Sequence, residues 1–428
     1  MYFLYLGLVY LLLPLLIVFQ YLRGIKKQDY HARWKEYFGF YSAKHSQEVI
    51  WLHAASVGEV EAANALINYL HANYRYKILI TTSTEPGYRC ICALQGDKVE
   101  HVYLPLDVPD AIARFLSHFQ PRLAIIMETE IWPALFIQCA DKSIPLFIVN
   151  ARLSEQSAKS YLKLRFFLQK VFANISGVVV QTEDDAQRYR EIGVSTDKIT
   201  VSGNIKLDMT IPKSTKSQAM KMKQELFPER LIFVVGSTHE GEDELFIQVY
   251  QRLKQQFPTL LLIIVPRQPR RTKDITKLCL AENLTVMTRT ENKPCAAVTD
   301  VFLVNTMGEL KHMYAVADCS FVAGSMVPIG GHNIFEPVLL DVPVLFGPNM
   351  KNSELLVQQL LAAKGGIQCF DVTDIVHGVA LVLSNPEEKG LLVSAARSFV
   401  AQNKGAVQRT IAVIESAMPV HIPRHPHD

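Results

Sequence analysis

The sequence predicts an α/β protein of two domains, each built on a largely parallel sheet. Two observations carry this expectation. Short apolar runs rich in β-branched residues alternate with helical patterns, and strand alternating with helix implies a parallel sheet covered on both faces. At 428 residues the chain is also too long for one ordinary core and suggests two domains of about 200 residues each.

Ahead of the alternation, Tyr2 to Leu22 carries no charged residue. That run suffices to cross a hydrocarbon core, which needs roughly 20 residues. Pro14 would kink such a helix without forbidding it. The run is long and no A-x-A-like site follows it, which argues against a cleaved signal peptide. The flank holds Arg23, Lys26, Lys27, Arg33 and Lys35 against Asp29 and Glu36, so the positive-inside rule puts the body in the cytoplasm. A helix lying in the membrane interface is the nearest rival to a spanning anchor.

Strands are expected at 48–54, 76–83, 101–106, 123–128, 145–150, 177–181 and 199–203. Stretches between them, such as Pro109–Phe119 and Glu183–Ile192, read as amphipathic helices. Met209–Met222 loses the rhythm, with Pro212, hydroxyl residues and several lysines, and reads as a linker. A second alternation follows, with strands near 231–236, 260–265, 284–288, 301–304, 319–323 and 343–346. The expected division is an anchor at 1–22, a first domain at 23–208, a linker at 209–222, a second domain at 223–418 and a mobile His- and Pro-rich tail at 419–428. Two Rossmann-like domains facing each other across a cleft is the architecture this pattern implies.

Composition narrows the function. Hydrophobic residues at 49% and charged residues at 20% describe a well-packed globular chain, and a net charge of +3 does not suit a nucleic-acid binder. Seven cysteines, an odd number with no C-x-x-C pair, read as unpaired thiols in a reducing compartment. Thirteen histidines form no metal-ligand spacing, so no bound metal is expected. Neither half has G-x-G-x-x-G after its first strand, and no G-x-x-x-x-G-K-[ST] occurs, which disfavours a dinucleotide dehydrogenase and a P-loop kinase.

Several strand ends carry chemistry. Trp51–Ala63 reads as a buried strand, a turn and a helix start, with Ser56 and Glu59 in the spacing of a capping box and Gly58 permitting a close approach. Glu59 thus lies at the carboxyl end of a strand, where open α/β sheets place their ligands. The second half opens similarly, with Ser237 and Glu240 in the same spacing. Glu128 and Glu130 end the apolar run Leu123–Met127, and a charge there must be solvated, paired or functional. Lys206 follows the last strand before the linker, where an exposed lysine is the ordinary outcome. In the second half, Arg267 ends a strand and suits a phosphate or carboxylate, although solvent contact is the commoner fate of an arginine. Met307-Gly308-Glu309 begins a helix, with Asn305 and Thr306 available as caps. The glycine-rich loop Gly324–Asn333 runs into a short helix carrying Glu336, an arrangement that offers amides to a phosphate or is a plain strand–helix turn.

Taken in order, these stretches resemble the 3-deoxy-D-manno-octulosonic acid (Kdo) transferases of lipopolysaccharide assembly. The matching segments are Ser56-Val57-Gly58-Glu59, Met127–Pro133, Asn150–Ser154, Ser237–Glu242, Val265-Pro266-Arg267, Thr306–Leu310 and Gly330-Gly331-His332-Asn333. The resemblance implies a GT-B fold, an acceptor-binding first domain and a second domain that binds CMP-Kdo. It implies an inverting, metal-independent transfer of Kdo to the tetra-acylated lipid A precursor at the inner membrane, with no cofactor. Carried over residue by residue, it makes Glu59 the general base and Glu128 and Lys206 transition-state stabilisers. Pro266, Arg267, Met307, Gly308, Glu309, Asn333, Ile334, Phe335 and Glu336 become the CMP-Kdo contacts. Phe335 stands where the family more usually has Leu, which leaves Asn333 and Glu336 in register. The alternatives are a transferase of the same fold using another activated sugar, and a non-catalytic membrane-anchored scaffold.

Overall fold

The computed structural model describes residues 5–7, 9–11, 14, 33–41, 47–208 and 211–416. By internal packing the chain forms two compact units, Met1–Met209 with Asn403–Asp428, and Thr210–Gln402. The expected anchor lies largely outside the described residues. Its described part is helical, and no described helix is long and apolar enough to cross a membrane. Tyr5 donates from its hydroxyl to Asp107 at 2.5 Å, and its ring lies 5.7 Å from Phe167.

The first unit runs β1 (Val49–His53), α1 (Val57–Asn73), β2 (Lys77–Thr82), α2 (Glu85–Gln95), β3 (Glu100–Tyr103), α3 (Pro109–Phe119), β4 (Pro121–Met127), α4 (Pro133–Asp141) and β5 (Leu146–Ala151). It continues through α5 (Glu155–Leu162), α6 (Arg165–Phe172), β6 (Gly177–Val180), α7 (Glu183–Glu191) and β7 (Ile199–Val201). The sheet order is β3-β2-β1-β4-β5-β6-β7, every described pairing parallel. All seven strands coincide with expected ones to within a few residues. Helices cover both faces, which is why β1 and β5 are buried along their whole length and read as continuous apolar runs.

The second unit begins with α8 (Lys213–Leu226), then β8 (Leu231–Thr238), α9 (Asp243–Gln256), β9 (Leu260–Pro266), α10 (Thr272–Ala281), β10 (Val286–Thr288), β11 (Val301–Leu303) and α11 (Leu310–Val316). It closes with β12 (Cys319–Val322), α12 (Phe335–Leu339), β13 (Val344–Phe346), α13 (Glu354–Ala362), β14 (Ile367–Gln368), α14 (Val372–Ser384) and α15 (Pro386–Asn403). Its parallel sheet has the order β10-β11-β9-β8-β12-β13-β14.

Three features differ from expectation. Much of the stretch expected as a linker, 209–222, is helix α8, which starts directly after Pro212 and packs on α11. Its polar, lysine-rich surface hid the helical period. The chain also leaves the second unit at 402, and its last described helix, α16 (Ala406–Ser416), belongs to the first. Ala406, Val407, Ile411 and Ile414 join the core formed by Ile50, Leu52 and Phe147, so a second domain running to 418 does not describe the packing. Arg33 is no free flanking cation: it pairs with Glu36 at 2.6 Å and lies 4.9 Å from the centre of the Tyr103 ring.

The strand order reverses between β1 and β4 in the first sheet and between β8 and β12 in the second, where β11 also inserts between β9 and the edge strand β10. Such switch points open a crevice at the carboxyl ends of the strands. The groups described next follow these four strands and β5, β7, β9 and β11.

Candidate active site

Glu59 lies one turn into α1, whose N-cap is Ser56 in extended conformation. The cap is reciprocal, although not in the standard register. Ser56 Oγ accepts from the Glu59 amide at 3.4 Å and donates to Glu59 Oε1 at 2.8 Å. Glu59 Oε2 accepts from the amide of Ala55, one residue before the cap, at 2.8 Å. The carboxylate is therefore oriented by two donors and is only 8% exposed. Burial raises its pKa to about 7, with the Glu128 charge as the second cause and Glu130 adding to it, against the lowering by Ser56 and Ala55. A carboxyl at this value is poised as a base near neutrality.

Glu128 follows β4 with φ 56, held by its amide donating to Val149 O at 2.9 Å. That left-handed conformation costs a non-glycine residue about 1–3 kcal/mol, and such strain gathers at functional sites. Its carboxylate pairs with Lys206 at 3.4 Å and Arg152 at 3.3 Å. Arg152 was not singled out from the sequence, although it lies within a matching segment. Lys206 also reaches α1, since a Cβ on Gly58 would lie 4.0 Å from Lys206 Nζ. Gly58 thus leaves room for the ammonium group at the start of the helix that holds Glu59. The structure brings Glu59, Glu128 and Lys206 together.

A chain of side-chain amides, missed from the sequence, supports Lys206. The 3-10 turn Ile205–Asp208 follows edge strand β7, three strands from β4. Asn150, at φ 52 in β5, accepts from the Ile205 amide at 3.0 Å through Oδ1. Gln181 Nε2 donates to Asn150 O at 2.9 Å, Asn204 Nδ2 donates to Gln181 Oε1 at 2.7 Å, and Asn204 Oδ1 accepts from the Lys206 amide at 2.9 Å. On the far side of the turn, Asp208 accepts from Gly405 N at 2.6 Å and Val407 N at 2.5 Å, which fastens it to α16. No local pattern marks these residues, because their partners are distant in sequence.

In the second unit the expected Ser237–Glu240 capping box does not form. Ser237 is left-handed at φ 64, and Glu242 takes over from the N-cap position of α9. Glu242, with no exposed surface, accepts from the amides of His239 at 3.0 Å, Gly324 at 2.8 Å and Met326 at 3.1 Å. Two amides of the glycine-rich loop are therefore already occupied by a carboxylate, so the loop is not a simple phosphate cradle.

The expected donor contacts sit on loops and helix starts at the carboxyl edge of this sheet. Arg267 is exposed, its amide donating to Thr238 O at 3.1 Å, and Pro266 is buried beside it at the end of β9. Met307 is 73% exposed and Gly308 has φ 83. Glu309 accepts from Arg289 Nε at 3.0 Å and from the Thr306 hydroxyl, and it is the N-cap of α11. Asn305 turns instead to Thr290. Asn333 Oδ1 accepts from Phe335 N at 3.0 Å, and Glu336 lies 3.8 Å from Lys311. Ile334 and Phe335 are buried, so any ligand would meet their backbone rather than their side chains. Among the described residues, no group of three or more His, Cys, Asp or Glu is arranged to hold a metal ion.

The family model described as 3-deoxy-D-manno-octulosonic-acid transferase (kdotransferase) matches residues 32–209. The 3-deoxy-D-manno-octulosonic acid transferase of Haemophilus influenzae is 35% identical, covering 96% of this chain and 98% of that protein. That of Rickettsia felis is 32% identical over 87% of this chain and 80% of its own. Among solved structures, UDP-GlcNAc 2-epimerase from Neisseria meningitidis bound to UDP-GlcNAc is 15% identical at TM-score 0.59, covering 86% of this chain and all 100% of that one, a likeness of fold. Similarity along nearly the whole chain places it in the 3-deoxy-D-manno-octulosonic acid transferase family, as a Kdo glycosyltransferase.

Proposed function

We propose that the chain moves Kdo from CMP-Kdo to the tetra-acylated lipid A precursor at the cytoplasmic face of the inner membrane, inverting the anomeric centre and using no metal. The observation that carries this is Glu59: a buried carboxyl at a sheet's switch point, fixed by Ala55 and Ser56, with its pKa raised to about 7. In the transfer, the acceptor hydroxyl gives its proton to Glu59 as its oxygen bonds to the anomeric carbon. The bond from that carbon to the CMP phosphate oxygen breaks on the opposite face, and CMP leaves with the electron pair. A single displacement of this kind inverts configuration.

Lys206, held by Glu128 and its amide-fixed turn, supplies positive charge for the transition state, and Glu128 keeps the ammonium group in place. The first domain takes the acceptor. The second takes CMP-Kdo through Pro266, Arg267, Met307, Gly308, Glu309, Asn333, Ile334, Phe335 and Glu336, with carboxylates suited to ribose hydroxyls and Arg267 to an anion. The apolar run 2–22 and its basic flank, Arg23, Lys26 and Lys27, supply the membrane anchor, which keeps the enzyme where an acylated acceptor resides.

The donor is tested by thermal melting with nucleotides, since only a ligand of the native state raises the melting temperature. CMP is expected to stabilise the chain where UDP does not, and CMP release from CMP-Kdo should require the lipid A precursor. Equal stabilisation by UDP, or CMP release indifferent to the lipid, would overturn the assignment.

A further inference from the structure

The second unit holds two histidines for which the transfer chemistry above has no use. His239 follows β8 and His332 ends the glycine-rich loop after β12, so they flank that sheet's switch point. Their Nε2 atoms are 2.8 Å apart, with ring planes within 6° and ring centres 5.1 Å apart. The centres exceed the N–N distance by 5.1 − 2.8 = 2.3 Å, about two ring radii, so both nitrogens lie near the line joining the centres. The rings therefore meet head to head, edge on, and not face to face.

The fold prepares this contact. Gly324 has φ 70, and a Cβ there would come within 2.9 Å of His332 Cδ2 and 3.4 Å of His239 Cδ2. Glu242 pins the backbone on both sides, through the His239 amide and through Gly324 and Met326.

A head-to-head pair obeys a simple proton count. Two neutral imidazoles carry two N–H hydrogens, and one of them must lie between the Nε2 atoms. One ring is then protonated on Nε2 and its partner on Nδ1. The two Nδ1 atoms point away from the shared bond and from each other, and in the neutral pair one is an acceptor and the other an N–H donor. One added proton preserves the shared bond, now charge-assisted, and turns both Nδ1 atoms into donors. Neither Nδ1 has a hydrogen-bond partner among the described residues.

The charges facing the pair are Glu242 at the start of α9, and Arg267 and Arg271 after β9; the loop Gly324–Gly331 contributes none. Burial, then Arg267 and the neighbouring imidazole, hold His332 down to about 4. Burial also lowers His239, opposed by Glu242 and assisted by the two arginines. These influences favour the neutral pair at physiological pH, and an oxyanion against either Nδ1 would favour the protonated one.

We propose that His239 and His332 form a proton-sharing contact for the donor's oxyanion, taking up one proton from solvent as the donor binds and returning it when the nucleotide leaves. The proposal rests on the assignment of CMP-Kdo to this unit. The ligand chemistry is that of a phosphate ester or a carboxylate, and the donor carries both. The charged pair would meet the anion with an Nδ1–H donor on whichever ring the anion approaches, and would serve as its counter-charge.

Calorimetric titration of CMP, cytidine and free Kdo into the full chain at about pH 7, in buffers of different ionisation enthalpy, counts the protons exchanged. A phosphate monoester, with a second pKa of about 6, is mostly dianionic there, so uptake reports on the protein. We expect uptake approaching one proton with CMP or with Kdo and none with cytidine; whichever anion drives it identifies the phosphate or the carboxylate. H239N and H332N should lose the uptake and bind that anion roughly tenfold more weakly, the scale of one charge-assisted hydrogen bond. Wild-type binding of CMP and Kdo without proton uptake would overturn the proposal and leave the donor assignment standing, as would uptake that persists in both variants. No binding of CMP at all would overturn the donor assignment and the proposal with it. Absence of uptake in the wild type overturns the proposal without any variant, and because loss of either ring breaks the pair, one folded variant suffices to assign uptake that is seen.

Discussion

Replacing Glu59 by Gln has an effect on stability whose sign is fixed by the site. In the folded chain the carboxyl is raised from 4.5 to about 7, first by burial and then by Glu128. The native state therefore holds this proton more tightly than the unfolded chain does. The stabilisation is fully present below pH 4.5 and is lost as pH rises through about 7. Over that span, at roughly 1.4 kcal/mol per pH unit, the loss amounts to about 3 kcal/mol. Gln carries no charge to bury. Its Oε1 can accept from the Ala55 amide and its Nε2 can donate to Ser56 Oγ, so both partners keep a bond. E59Q should match the wild type near pH 4.5 and exceed it by up to about 3 kcal/mol at pH 8. Denaturant unfolding of the full chain across that range measures the difference. An offset that does not change with pH, or an E59Q less stable than wild type at pH 8, would refute the raised carboxyl.

Other perturbations follow from the same contacts. The Glu128 charge helps to raise Glu59, so E128Q should lower the pH at which kcat/KM rises from the wild-type midpoint near 7; an unmoved midpoint would detach Glu128 from the base. Lys206→Met should cut kcat by roughly 10²–10³-fold, the range seen when a transition-state charge stabiliser is removed, with little change in melting because Asn150 and Asn204 hold the turn through backbone amides. Glu242→Ala leaves the amides of His239, Gly324 and Met326 without their acceptor and should cost the second unit at least about 3 kcal/mol in denaturant unfolding.

The two sheets were legible because buried parallel strands are apolar on both faces, and runs such as Leu123–Met127 have few other uses. Strand β14, two residues long at a sheet edge, offers no run to detect. Helix α8 was hidden by its polar, lysine-rich sequence, and the return of α16 to the first unit rests on contacts such as Asp208 to Gly405, which no local pattern encodes. At the site, Glu59 was visible as a cap, but the Ala55 amide as its second partner was not. The spacing around Ser237 pointed to Glu240, whereas the left-handed Ser237 hands the role to Glu242. Glu128 and Lys206 drew attention as charges at strand ends. Their pairing depends on a turn drawn back from β7 by Asn150, Gln181 and Asn204, a tertiary fact.

The most direct test of Glu59 as the base is mass spectrometry of the lipid formed when wild type and E59Q are each given CMP-Kdo and the lipid A precursor at pH 8. The wild type should add Kdo to the lipid and release CMP, while E59Q, folded and no less stable, should leave the lipid unmodified. Near-normal Kdo addition by E59Q would reduce Glu59 to a helix cap and contradict the mechanism.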